Sequence, residues 1–291
     1  MLSSSFILKA PAKINWFLIV KGLRDDGYHK IVSLMQRVSV YDEIQFETSD
    51  SVEIISNTDI PLEDNLINRA VHLLKAYLQK HGRLHHRGAR IKLNKEIPIA
   101  AGLGGGSSDA ATTLIGLNIL WGLNLTTQEL MNIGALIGSD VPFFLGSPAA
   151  VVKGRGEVVY PVKLRHSYPV LLVKPPVQVE TKWAYSEFDR VSKGEQENNP
   201  DYLSHFLKFL NAADLANLNV YTRNDLEYIV IKRFPEIATI KETLRESGAI
   251  FSIMSGSGPT VIGIFDSTEK AGQALKLIPK QYWCRLAETL I

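Results

Sequence analysis

Cysteine is almost absent: the 291-residue chain has one, Cys284. One thiol closes no internal disulfide, and no Cys/His spacing resembles a zinc site, so a reducing cytoplasm is the expected location. An excess of charge is missing too. The 32 Lys and Arg against 30 Asp and Glu leave a formal net charge of +2, which argues against nucleic-acid and membrane-surface partners and confines any basic site to a local cluster. No run approaches the roughly 18 apolar residues of a membrane helix. The stretch 141–152 comes nearest and is interrupted by Pro142, Gly146, Ser147 and Pro148. Lys9, Lys13 and Asn15 break up the apolar character near the start, so no signal peptide is expected. His81, His85 and His86 sit among Gly82, Arg83, Arg87 and Gly88, which reads as a solvated loop rather than a metal site.

With 45% hydrophobic and 21% charged residues, the composition is that of an ordinary globular chain, long enough for two domains with separate cores. β-Branched and aromatic residues between turn signals predict strands at 6–10, 14–20, 31–41, 43–48, 52–56 and 89–93. A helix capped at Asp64-Asn65 carries Leu66, Ala70, Leu73, Leu74, Tyr77 and Leu78 at helical spacing. Helical patterns follow at 108–121 and 127–137, then a short strand pair around 149–159. The pattern restarts near 161–169 with a strand at 168–173, several helices, and a polar stretch at 192–201 that reads as an exposed loop. Helices at 224–232 and 235–247, strands at 250–254 and 260–265, a helix at 268–277 and a strand at 282–286 complete an α+β chain. A domain boundary is expected between residues 164 and 165.

The run PIAAGLGGGSSDAA at 98–111 is the most informative segment. Glycines let backbone amides approach a ligand closely, and a helix opening at Ser107 or Ser108 would aim free N–H groups and a positive dipole end at an anion. A flexible loop is the plainer reading, but the apolar helical pattern that follows at once speaks against a linker. Neither common nucleotide signature is present. Ser107 and Ser108 stand where a P-loop requires lysine, and Ser107 stands in the place of the third glycine of a dinucleotide fingerprint.

Three segments, PAKINWFL at 11–18, the glycine run, and MSGSGPTV at 254–261, occur in the order and spacing of one kinase superfamily, and the chain resembles it over nearly its full length. This is the galactokinase, homoserine kinase, mevalonate kinase and phosphomevalonate kinase (GHMP) superfamily. DGYHKI at 26–31, the triple-glycine GLGGGSS, GSDVPFF at 138–144 and GSGP at 256–259 resemble its branch that phosphorylates the 2-hydroxyl of a cytidine diphosphate derivative of methylerythritol in non-mevalonate isoprenoid synthesis. The resemblance implies a two-domain GHMP kinase fold, with a ribosomal-protein-S5-domain-2-like N-terminal domain (1–164) and a ferredoxin-like C-terminal domain (165–291). It also implies ATP and Mg²⁺ as cofactors, a small-molecule substrate, and a monomer or weak homodimer. Another small-molecule kinase of the superfamily, or a noncatalytic nucleotide- or RNA-binding module, is the competing expectation.

By the same resemblance Asp140 is the catalytic carboxylate and Lys13 its partner, although alone they read as a helix cap and a solvent-facing strand lysine. The triphosphate falls to Pro98, Ile99, Ala100, Ala101, Gly102, Leu103, Gly104, Gly105, Gly106, Ser107 and Ser108, with the serine hydroxyls available to phosphate or Mg²⁺. Asn65 and Lys95 match positions flanking the ATP base; a cap and an exposed lysine explain them nearly as well. Asn15, Tyr28, His29 and Tyr185 match the cytidine side, with Tyr28 and Tyr185 expected to flank cytosine. Asp109 is expected to favour the helix dipole without touching phosphate, and the metal ligands are unassigned.

Overall fold

A computed structural model describes residues 5–61, 63–83, 88–191 and 201–291. The chain begins with two long strands, β1 (Ser5–Leu23) and β2 (His29–Ser49), followed by β3 (Val52–Ser56), α1 (Leu66–Lys80), β4 (Gly88–Asn94), α2 (Gly105–Leu120), α3 (Thr127–Ile137), α4 (Val141–Leu145), β5 (Ala149–Lys153) and β6 (Val158–Pro161). The remainder comprises β7 (Pro169–Lys174), α5 (Thr181–Val191), α6 (Tyr202–Asn211), α7 (Leu215–Leu218), α8 (Glu227–Arg233), α9 (Glu236–Glu246), β8 (Phe251–Met254), β9 (Val261–Ile264), α10 (Thr268–Leu275) and β10 (Trp283–Glu288). The first six strands form one sheet in the order β3-β4-β2-β5-β6, with β1 paired along β2; the last four form a second in the order β10-β7-β9-β8.

Helices α1 to α4 cover one face of the first sheet, burying Ile67, Leu74, Leu114, Leu117, Ile133 and Phe143 against Ile44, Phe46 and Ile91. The central helix α2 crosses the sheet closely because Gly116 has no side chain: a Cβ there would stand 2.3 Å from the Phe46 ring. The other face of β1 meets the second sheet. Between Asn15 and Phe17 the β1–β2 register shifts by one residue, and this bulge turns both Trp16 and Phe17 into a core shared with Val170, Phe206, Phe251 and Ile262. The cores of the two halves are therefore joined rather than separate, and β1 is buried on both faces at its centre. That double burial brings Lys13 and Asn15 against the turn after β8.

Several boundaries differ from the sequence reading. Two long strands replace the four short ones expected between residues 6 and 48. Pro11 lies at a register shift, where an irregular pairing accommodates it, and Asp42 continues β2 instead of ending it. Helix α2 opens at Gly105, not at Ser107 or Ser108, with Gly104 as its left-handed N-cap at φ +70°. The stretch 192–200, together with His85 and His86, lies outside the described residues.

Candidate active site

A cleft of about 1240 Å³ runs between the two halves and is lined by Lys13, Asn65, the glycine loop, Asp140, Tyr185 and the turn at Gly256. One wall is the loop before α2. Because α-helix hydrogen bonding begins when Ser108 N–H donates to the Gly104 carbonyl at 2.9 Å, the amides of Gly105, Gly106 and Ser107 have no partner within the helix. Three unpaired donors and the dipole's positive end thus converge at the cleft, as an anion requires. The loop has little room for side chains: a Cβ at Gly104 would meet the Lys13 stem and the Phe144 ring at 3.0 Å, and one at Gly102 would stand 2.2 Å from the Ser255 carbonyl oxygen. The Ser108 hydroxyl is buried without a hydrogen-bond partner among the described residues.

Lys13 and Asp140 meet beside this loop. Their charged atoms lie 3.8 Å apart, with the Lys13 side chain 4% exposed and that of Asp140 27% exposed. Burial drives the Lys13 ammonium below the usual lysine range, and the Asp140 charge partly opposes that shift. The ammonium also donates to Asn15 Oδ1 at 2.6 Å and to the Gly102 carbonyl at 2.9 Å, so one cation ties the carboxylate to the glycine loop. Asp140 is the N-cap residue of α4 but makes no side-chain capping bond, which leaves its carboxylate to face the cleft. At the other end of α4, Arg37 donates to the Phe143 and Gly146 carbonyls at 3.0 and 2.8 Å and steadies the helix.

The cytidine-side candidates occupy the far part of the cleft. His29 stacks on Tyr185 with ring centroids 4.9 Å apart, and its Nε2 lies 2.6 Å from Asp189 Oδ1. Tyr28, half exposed, lies beneath the Arg155 guanidinium at 5.0 Å. The described contacts therefore pair Tyr185 with His29 and Tyr28 with Arg155. Asn15 lines the cleft, where its Oδ1 accepts from Lys13 Nζ and its Nδ2 donates to Ser33 Oγ at 2.7 Å, so the carboxamide also positions the lysine. Asn65 both lines the cleft and caps α1, its Oδ1 accepting from Ile67 N–H at 2.9 Å.

Lys95 is buried rather than exposed. Its ammonium lies 2.6 Å from Asp42 and 2.7 Å from Asp109, all three side chains being at most 4% exposed. Burial opposes the Lys95 charge, but the Asp109 and Asp42 carboxylates outweigh it and raise its pKa. Burial pushes the Asp109 carboxyl up to about 7; Lys95 opposes this and the Asp42 charge adds to it.

Sequence reasoning passed over Asp42, Arg155, Asp189, Ser255 and Asn224. Ser255 Oγ donates to the Gly102 carbonyl at 3.0 Å, and Asn224 Nδ2 donates to the Met254 and Gly256 carbonyls at 2.7 and 2.8 Å, holding the turn against Lys13. Of these, only Ser255 lay in a segment with a local signal, the MSGSGPTV at 254–261. The others become visible only when distant segments meet.

An anion cradle without a P-loop lysine, a lysine–aspartate pair beside it and aromatic side chains lining the same cleft fit a small-molecule kinase. The GHMP kinases N terminal domain matches residues 65–147 and the GHMP kinases C terminal domain matches residues 206–282. The 4-diphosphocytidyl-2-C-methyl-D-erythritol kinase of Thermodesulfovibrio yellowstonii is 45% identical over 97% of each chain, and that of Thermoanaerobacter pseudethanolicus is 39% identical over 94% of this chain and 92% of its own. A crystal structure of 4-(cytidine 5'-diphospho)-2C-methyl-D-erythritol kinase superimposes with a TM-score of 0.81 at 30% identity, covering 98% of this chain and 99% of the other. The chain belongs to the GHMP kinases and, within them, to the 4-diphosphocytidyl-2-C-methyl-D-erythritol kinase family.

Proposed function

We propose that the chain transfers the γ-phosphoryl group of ATP to the 2-hydroxyl of 4-diphosphocytidyl-2-C-methyl-D-erythritol, with Asp140 and Lys13 at the reacting centre. The observation that carries this reading is the convergence, in one cleft, of the helix amides and an ion pair at 3.8 Å. The acceptor oxygen forms a bond to the γ-phosphorus as the bond to the β–γ bridging oxygen breaks and ADP departs. Asp140 orients the hydroxyl and receives its proton. Lys13 faces that carboxylate and offsets charge on the transferring group. Ser107 and Ser108, the hydroxyls nearest the helix opening, would hold a Mg²⁺ ion, which would supply neutralisation of the triphosphate charge. Tyr28, His29 and Tyr185 supply flat faces and polar edges for the cytosine.

We divide the chain at 164 and 165 and place it in the cytoplasm as a monomer or weak homodimer, in keeping with the free Cys284. Among the described residues, no helix is long and apolar enough to cross a membrane. A substrate panel tests the function: purified protein with MgATP should phosphorylate the cytidyl substrate at its 2-position, read by ³¹P NMR. Turnover of homoserine or mevalonate with the cytidyl compound untouched would overturn it.

The depressed Lys13 pKa has a kinetic consequence. Because the folded-state value lies below 10.5, the ammonium is lost at a lower pH than in a free lysine. We expect kcat to fall on an alkaline limb with an apparent pKa below 10.5, and a profile flat through that pH would contradict a charged Lys13 in the reaction.

A further inference from the structure

We infer that Lys95, Asp42 and Asp109 form a latch that holds the two arms of the phosphate loop together and thereby sets affinity for the nucleotide; the inference rests on the assignment of residues 98–108 to ATP. The geometry is a closed bracket. The leading arm leaves β4 through residues 95–97, and the trailing arm is the start of α2. Asp42, wholly buried on β2, accepts from both Glu96 and Ile97 N–H through Oδ1, at 2.6 and 2.8 Å, and its Oδ2 lies 2.6 Å from Lys95 Nζ. The same ammonium reaches across to Asp109 Oδ2 at 2.7 Å. One cation therefore joins the residue before the loop to a residue just after it, and a carboxylate from a third element fixes both.

The position of the ammonium sharpens the point. A Cβ on Gly105 would come within 3.2 Å of Lys95 Nζ, so the charge lies directly beneath the first residue of α2. Between the two arms Ala100 takes a costly conformation at φ +51°, and Gly102 and Gly104 take positive φ that glycine adopts without strain. A loop of this kind presents converging amides only if its ends are held, and holding them beforehand lowers the ordering cost of binding. Asp109 Oδ1 is buried without a hydrogen-bond partner among the described residues, a cost without evident purpose if the carboxylate served packing alone.

These are positioning residues, and Asp109 gives the cleanest test. Asp109→Leu cuts the tie to the trailing arm but leaves Lys95 paired with Asp42, so no buried charge is left without a partner. Asp109→Asn retains a carbonyl oxygen for the Lys95 ammonium. In the full-length enzyme we expect Asp109→Leu to raise KM and the calorimetric Kd for MgATP by about 10-fold or more, the loss typical of one charge-assisted hydrogen bond. kcat and the KM for the cytidyl substrate should stay within about twofold, and Asp109→Asn should recover most of the nucleotide affinity. Unchanged nucleotide affinity in Asp109→Leu, a parallel loss of kcat and both KM values that tracks a fall in Tm, or an Asn variant no better than the Leu variant would each overturn the latch. Loss of ATP affinity with the transfer reaction itself absent from the wild type would instead count against the proposed substrate and leave the latch standing.

Discussion

Asp140→Asn lowers kcat by about 10²–10⁴-fold, the range expected when a positioned proton acceptor is removed. Affinity for MgATP should stay within about twofold, because in the proposed arrangement the triphosphate rests on amides of the glycine loop and not on this side chain. The substitution is nearly isosteric. Asp140 makes no capping bond that α4 would lose, and its side chain is partly solvated, so the fold is retained. Lys13 changes with it. The carboxylate is the charge that opposes desolvation of the ammonium, and without it the Lys13 pKa falls further below the lysine range. Single-turnover kinetics and equilibrium ATP binding check both halves of the expectation. Full turnover in the variant would remove Asp140 from the reaction, whereas lost ATP binding would assign it to the nucleotide site.

Gly102→Ala is expected to lower kcat/KM for ATP by about 100-fold or more, through geometry alone. Residue 102 sits at φ +76°, a conformation that costs a residue with a Cβ about 1–2 kcal/mol. The added methyl would also stand 2.2 Å from the Ser255 carbonyl oxygen and 3.0 Å from that of Gly258, backbone atoms that cannot swing aside. The loop must then lift away from the second half. As it does, the Gly102 carbonyl leaves both Lys13 Nζ and Ser255 Oγ, so one substitution disturbs the glycine loop and Lys13 together. Gly122→Ala is the matched control. Its φ is +63° and nothing lies within 4 Å of the new Cβ, so it carries the backbone cost without the collision. Thermal unfolding should show a loss for both variants, and kinetics should show one for Gly102→Ala alone. Equal kinetics in the two would mean that close approach of the loop to the turn at residues 255–258 plays no part.

The parts of the fold legible in the sequence were those set by local rules. Asn65 caps α1 as its place before an apolar helical pattern required, and α3 spans the expected residues 127–137. The misreadings have physical causes. Helix α2 begins two or three residues early because Gly105 and Gly106, poor helix formers, lie against Ile97, Lys95 and Leu66, and tertiary contact outweighs their propensity. Asp42 interrupted an apolar alternation and looked like the end of a strand, yet β2 continues through it because its carboxylate is matched by Lys95, 53 residues away. A charged residue that breaks a strand pattern without ending the strand marks a constraint from elsewhere in the fold.

The site followed the same division. The glycine loop, Lys13, Asp140 and the turn at 256–259 stood out because packing alone does not call for them, and all line one cleft. Asn15 stood in the same motif as Lys13, but Ser33, which holds its carboxamide, lies on β2 and meets it only in the folded sheet. Asp189 and Asn224 carry no motif and gain meaning from His29 and the Met254 carbonyl. Charge partners far apart in sequence are what a single chain conceals.

The most direct test of the account is a crystal structure with a nonhydrolysable ATP analogue and 4-diphosphocytidyl-2-C-methyl-D-erythritol bound together. The account predicts the 2-hydroxyl within hydrogen-bond reach of Asp140, about 2.6–3.2 Å, in line with the γ-phosphorus. The triphosphate should lie on the amides of Gly105, Gly106 and Ser107, and the cytosine against Tyr28 or Tyr185. A hydroxyl well beyond the reach of Asp140, or a triphosphate bound away from the start of α2, would contradict it.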